Sequence, residues 1–388
     1  MFIPSERDIK EGRTADVYFH RVLRVLEKEG LADTEVTVEV TAKSLPEGWE
    51  WGVLCGVSEV LEILEGRDVD VWCMDEGDVF RPGEPVLRIR GPYGEFCVLE
   101  TAILGCLCKT TGIATKAARC KIAAGGKPVY SFGIRRQHPA MSVVVDRAAY
   151  IGGCDGVSGV AGAEAIGEEP VGTMPHSMIV IFGDQVEAWR AFHEHLPEDV
   201  PRVALVDTFC DEVEEALMAA EALGDALDGV RLDTPSSRRG DMVEIVREVR
   251  WELDLRGYDD VSIMVSGGLD EEEIARLAEA GVDAFGVGTA ISDAPTVDFS
   301  MDVVEVEGEP RAKRGKPSGV KQVWRCSECL GGVVLPEGEE PGSCPSCGGE
   351  GLKPALRKFL EGGRRIEEPR SEKEAREHVL SLLDRLDL

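Results

Sequence analysis

Positive charge is what this chain of 388 residues lacks: 43 Lys and Arg stand against 73 Asp and Glu, a formal net charge of −30. So acidic a chain is repelled by phosphate backbones, which disfavours nucleic-acid binding over its general surface. An anionic ligand would need a locally basic pocket. Long apolar runs are also missing. No uncharged stretch reaches eighteen residues, so no membrane span is expected. The opening "MFIPSERDIKEGR" lacks the basic-then-apolar pattern of a secretory signal. A cytoplasmic enzyme is the default these absences leave. There is no internal repeat and no low-complexity tract. Histidine is scarce, with six in all, so the placing of each one matters.

What is present describes a globular protein. Apolar residues make up 43%, and the length allows two or three domains. Residues 1–110 mix an alternating strand pattern, "TEVTVEVTAKSLP", with helical stretches, and predict an α+β domain. Residues 111–292 alternate short apolar runs ("KPVYSFGI", "DGVSGV", "PVGTM", "RVALVDT", "GVRLDT", "VSIMVSG", "AFGVGT") with amphipathic helices. Strand, helix, strand repeated in this way predicts a parallel sheet. About seven units in this length predict an irregular α/β barrel. Residues 293–320 alternate as a strand hairpin and are expected to complete the first domain. Residues 321–388 carry paired cysteines and a final helix capped by Ser371 and Glu374.

Eight of the twelve cysteines lie among apolar neighbours in the first 210 residues and read as buried thiols. The other four form "CSEC" and "CPSC": Cys326, Cys329, Cys344 and Cys347. Two C-x2-C knuckles fourteen residues apart predict a structural Zn²⁺ ribbon or knuckle with no open coordination position.

In a parallel barrel the site lies at the C-terminal strand ends. The last two ends are "SGG" (Ser266, Gly267, Gly268) and "GVGT" (Gly286, Gly288, Thr289), where backbone amides can approach a phosphate. Earlier ends supply Arg135 and Arg136 in "FGIRR", Asp207 in "VDT", and Arg231 with Asp233 in "RLDT". Guanidinium suits a carboxylate or phosphate, and the carboxylates suit sugar hydroxyls or a divalent ion. Arg238 and Arg239 add charge in the next loop. His176, in "GTMPHS" beside Ser177, is placed at a strand-end loop, where neutral imidazole serves as nucleophile or base.

These strand ends, in this order, resemble nicotinate phosphoribosyltransferase over roughly residues 10–290. The likeness rests on "ADVYF", "PVLRIRGP", "LETAILGCL", "TGIAT", "SFGIRR", "GTMPHS", "LVDT", "VRLDT", "SGG" and "FGVGT". It implies a split N-terminal domain, an irregular barrel and transfer from phosphoribosyl pyrophosphate to nicotinate with Mg²⁺. It implies ATP as a co-substrate, coupled through transient phosphorylation of His176. Arg135 or Arg136 would meet the nicotinate carboxylate. Tyr18, beside Asp16, would stack on the pyridine ring across a subunit interface, making the protein a homodimer or larger homo-oligomer. Ser177 joins the substrate-binding set, and the glycine strand ends would hold the ribose 5-phosphate. Asp233, with Arg231, would contact ribose or pyrophosphate, and Asp207 counts with Asp233 and His176 as catalytic. The paired-acid-then-Thr-Gly motif of the Rossmann-like transferases is absent, which leaves the Mg²⁺ ligands unassigned. Two alternatives stand beside this reading. One is quinolinate phosphoribosyltransferase, which must bind two carboxylates and lose one. The other is a non-catalytic nucleotide sensor acting through the zinc ribbon.

Overall fold

The computed structural model describes residues 2–388. They form two compact units. One takes the chain up to Thr115 together with Ala294–Asp387; the other is Lys116–Asp293.

The first unit is built on a seven-stranded antiparallel sheet. Its order is Glu309–Pro310, Phe299–Val306, Glu35–Ala42, Pro85–Pro92, Asp70–Cys73, Arg357–Glu361, Arg364–Arg365. The strand "EVTVEVTA" turns Val36, Val38, Val40 and Ala42 into the core by its period of two. The opposite face is covered as well: Glu39 is 2% exposed and accepts from the Lys321 amide at 2.7 Å and its Nζ at 2.8 Å. Residues 299–306 return to pair with 36–42. The segment 321–388, read from sequence as separate, falls in this unit. Its strand Arg357–Glu361 pairs with Asp70–Cys73, and Lys321–Cys326, Gly332–Pro336 and Leu352–Pro354 form a small sheet of their own.

A short 3₁₀ turn at Cys97–Leu99 leads into the helix Glu100–Ala123. Tyr93–Ala123 is long and apolar enough to cross a membrane by length and composition. Ile103, Leu107, Ile113 and Ala114 are nonetheless fully buried in protein, as in a core helix.

The second unit holds six parallel strands in the order Gly156–Val157, Val129–Ser131, Ala284–Val287, Ser262–Ser266, Gly229–Leu232, Val203–Leu205. Val129–Ser131, the earliest in sequence, lies beside Ala284–Val287, the latest. Neighbouring first and last strands mark a sheet curling on itself. Val129, Val230, Ile263, Phe285 and Val287 fill it and are fully buried. The expected seventh strand, "PVGTM", is not a strand: it makes one ladder bond, from the Val171 amide to the Val157 carbonyl (2.8 Å). Pro170 and Pro175 lack amide donors, so the ladder stops. Among the described residues no strand closes the gap to Val203–Leu205. The chain crosses it through the helices His176–Phe182 and Gln185–His195.

Candidate active site

Helix starts distinguish the working end of the second unit. Helices beginning at Gln185, Glu212, Met242 and Glu271 are each capped by a preceding aspartate: Asp184, Asp211, Asp241 and Asp270. Their first-turn amides are thus engaged by a carboxylate. The helix that follows Gly268 starts only at Glu271 and is closed to anions by Asp270. The helices after Gly159, Pro175 and Gly288 have no side-chain cap. Pro175 and Gly288 line one cavity of about 300 Å³, with Ser158 beside Gly159.

That cavity gathers the strand-end residues. Arg135, Arg136, Arg231, Asp233, Ser266, Gly267, Gly268, Gly286, Gly288 and Thr289 all line it. Gly267 (φ +87°) and Gly268 (φ +70°) occupy left-handed conformations, which turn the chain sharply at the strand tip. A Cβ at Gly267 would stand 2.8 Å from Asp233 Oδ1. Three guanidiniums face one carboxylate on this wall, a local cationic excess in an acidic chain. Burial lowers the Arg231 pKa, and Arg135 nearby pushes the same way against Asp233 and Asp207.

His176 opens the helix His176–Phe182 rather than sitting in a loop, because Pro175 serves as its N-cap. Its imidazole is 39% exposed and reaches two carboxylates. Nε2 lies 2.9 Å from Asp207 Oδ1, and Nδ1 lies 4.0 Å from Asp233 Oδ2. Asp207 is buried behind the wall. Its Oδ2 accepts from the Asp233 amide (3.0 Å) and from Thr234 Oγ1 (3.0 Å). Burial raises the Asp207 pKa, with the His176 charge opposing. Asp233 is fixed by Ser266 Oγ, which donates to Oδ1 at 2.8 Å.

Other expected residues lie elsewhere. Ser177 is exposed and does not line the cavity. Tyr18 belongs to the first unit, is 53% exposed, and its ring packs tilted on Phe19 at 4.3 Å. Asp16 accepts from Thr101 Oγ1 at 3.2 Å. Arg238 is absent from the cavity wall. Arg239 is turned away, its Nε donating to the Thr234 carbonyl (3.0 Å) and its Nη2 lying 3.8 Å from Glu273. Four of the other five histidines have local duties: His20 contacts the Gly12 carbonyl, His138 caps Ala140, His193 accepts from Arg202 and His378 pairs with Asp78, while His195 is exposed at the end of the helix Gln185–His195. Thr173 and Thr234 went unnoticed in the sequence. Thr173 accepts from Arg231 Nη1, and Thr234 donates to Asp207 and stands 2.5 Å from Glu212 Oε1. Their only signal was position, next to a glycine and an aspartate at strand ends.

In the first unit the four C-terminal cysteine sulfurs lie within 4.8 Å of one another. Cys326–Cys347 and Cys329–Cys344 Sγ separations are both 3.6 Å. A tetrahedron with Zn–S bonds of about 2.3 Å has edges of about 3.8 Å, so the cluster has the dimensions of a four-thiolate metal site. Amides of Glu328 and Gly331 donate to Cys326 and Cys329 sulfur at 3.4 Å. The left-handed Leu330 (φ +58°) makes the knuckle turn.

Amides, guanidiniums and a carboxylate at the open ends of parallel strands define a phosphate-handling barrel enzyme. Comparison with known proteins narrows the class. The quinolinate phosphoribosyl transferase N-terminal domain matches residues 16–111 and its C-terminal domain residues 113–302. A nicotinate phosphoribosyltransferase of Mycobacterium tuberculosis is 33% identical over 386 residues, covering 87% of this chain and 84% of that protein. One of Bacillus subtilis is 27% identical over 329 residues, covering 75% and 66%. The crystal structure of nicotinate-nucleotide pyrophosphorylase from Pyrococcus furiosus matches with TM-score 0.97 and 54% identity, covering 100% and 99%. Human nicotinic acid phosphoribosyltransferase shares the fold, with TM-score 0.76, 22% identity, and coverage of 96% and 94%. The chain belongs to the quinolinate and nicotinate family of barrel phosphoribosyltransferases, and it is a phosphoribosyl-transferring enzyme. The names divide between two pyridine acids, so the acid is a separate question.

Proposed function

We propose that the protein transfers phosphoribose from phosphoribosyl pyrophosphate to nicotinate, giving nicotinate mononucleotide and pyrophosphate. The observation that carries this reading is the His176–Asp207 pair beside a cavity lined by arginines. The relatives named nicotinate phosphoribosyltransferase support it. The amides around Gly267, Gly268 and Gly288 would hold the ribose phosphate. Arg135 or Arg136 would take the ring carboxylate, and Arg231 the departing pyrophosphate. As pyrophosphate leaves, the ribose carbon gains positive character and the ring nitrogen attacks. Catalysis is then positioning and stabilisation of the leaving anion. Asp233 is the one carboxylate on the cavity wall. Mg²⁺ is commonly held by one or two carboxylates plus substrate phosphates, so Asp233 would hold it. ATP would act through phosphorylation of His176, placing about two negative charges beside the cavity. Tyr18 would act from a second subunit, and the cysteine cluster would hold a structural Zn²⁺.

Quinolinate is the second reading, because the family models carry its name and three guanidiniums could meet two carboxylates. One assay separates the two. The protein is incubated with phosphoribosyl pyrophosphate, Mg²⁺ and labelled nicotinate or quinolinate, with and without ATP. Mononucleotide from nicotinate, raised by ATP, supports the proposal. Mononucleotide and CO₂ from quinolinate alone overturns it.

A further inference from the structure

A second cavity, of about 360 Å³, lies within the first unit and shares no residue with the strand-end cavity. Five of its lining side chains are cations: Arg325, Lys353, Arg357, Arg370 and Arg385. One, Asp78, is a carboxylate. In a chain of net charge −30 this is a local reversal of sign. The floor is apolar, with Met74, Val79 and Leu382 all buried.

The carboxylates that hold the arginines stand at or behind the wall. Arg357 Nη2 donates to Asp75 Oδ2 at 2.6 Å, and Asp75 is 2% exposed; Arg357 Nη1 pairs with Glu367. Arg370 Nη1 donates to Asp78 Oδ1 at 2.8 Å. Arg325 pairs with Glu84, which is also buried. These pairs fix the guanidiniums while leaving some of the five donors each carries. Arg385 is tied only by Nη1, which donates to the Ser327 carbonyl at 2.8 Å. Neither Arg385 nor Lys353 has a carboxylate in ion-pair range among the described residues, and both are exposed.

We propose that this cavity is a second anion site, for a small organic phosphate. The phosphoryl group would lie on Lys353 and Arg385 with the free donors of Arg357 and Arg370, and the body of the ligand on the apolar floor. Planar guanidiniums suit phosphate oxygens, and the volume falls in the range of small-molecule sites.

The test is calorimetric titration of the full, zinc-loaded chain at low salt with pyrophosphate, inorganic phosphate, adenosine monophosphate and citrate. Two pyrophosphate sites per chain are expected. Lys353→Glu with Arg385→Glu should weaken one of them at least about tenfold and leave phosphoribosyl transfer unchanged. Lys353→Ala alone should weaken the same site less. Adenosine monophosphate should bind this site more tightly than inorganic phosphate. No pyrophosphate site that these substitutions weaken, or citrate binding to it as tightly as pyrophosphate, would overturn the assignment, whereas a single site that they do weaken would count against the strand-end site instead.

Discussion

The imidazole of His176 meets the buried carboxylate of Asp207 at 2.9 Å, Nε2 to Oδ1. Asp207 is itself fixed by the Asp233 amide and the Thr234 hydroxyl, so the imidazole is oriented from behind. An aspartate that holds a histidine fixes its tautomer and steadies its cation. His176→Ala is expected to abolish ATP stimulation of nicotinate mononucleotide formation and to leave some basal transfer. Asp207→Asn should cut the stimulation by about tenfold or more. Full stimulation in the alanine variant would show that His176 takes no part in ATP use.

The arginine pair after Val129–Ser131 offers a direct test of carboxylate recognition. Losing one charge-assisted contact costs about 1.5–3 kcal/mol, so Arg135→Ala or Arg136→Ala should raise the nicotinate KM by about 10- to 100-fold. The KM for phosphoribosyl pyrophosphate should move less. Two unchanged nicotinate KM values would remove both residues from the acid subsite.

At Gly267 the backbone and its surroundings both refuse a side chain. Its φ of +87° is left-handed, and an added methyl would approach Asp233 Oδ1 to 2.8 Å. Gly267→Ala should cost about 1–3 kcal/mol, read as a lower melting temperature and a higher KM for phosphoribosyl pyrophosphate. Parent-like values for both would contradict the phosphate role of this turn.

If the cysteine cluster holds a structural metal, purified protein should carry about one zinc per chain by elemental analysis. Cys344→Ser, or treatment with a chelator under mild heating, should lower both zinc content and melting temperature. Stoichiometric zinc in Cys344→Ser would argue against the four-thiolate site.

Asp146 is fully buried, accepting from the Gly159 amide (3.0 Å) and Ser131 Oγ (3.4 Å). Burial pushes its pKa up to about 6, against an ordinary value of 3.8. The folded state therefore binds the proton more tightly than the unfolded chain. Its contribution to stability is greatest below pH about 4, declines as pH rises through about 6, and is flat above that. Asp146→Asn should flatten the fall in stability between pH 4 and 7, by up to about 3 kcal/mol. Equal slopes in parent and variant would count against this pKa.

Much of the site was legible as residue types at strand ends. Glycines after Ser262–Ser266 and around Ala284–Val287, arginines after Val129–Ser131 and aspartates after two others could be read from short apolar runs and what followed them. Other features depend on distant partners. His176 and Asp207 are 31 positions apart and meet because neighbouring elements pack together. Arg239 looked like one more cation for the cavity, but a carbonyl and Glu273 turn it aside. Thr173 and Thr234 carry no local signal beyond their position, since a hydroxyl's partner is chosen by what folds against it. The "PVGTM" run has a strand's composition, but Pro170 at its start and Pro175 just past its end hold it to a single ladder bond.

From its order of residues alone this chain declared alternating strands and helices, a four-cysteine knuckle and a row of arginines, glycines and aspartates at strand tips. Those follow from side-chain period, turn chemistry and ligand spacing, which act over a few residues. Folding in three dimensions settled the strand order that sets Val129–Ser131 beside Ala284–Val287, and the sheet position of Arg357–Glu361 beside Asp70–Cys73. It also settled which of many charges share a cavity. Such pairings join residues far apart in the chain, and packing and loop closure choose among them.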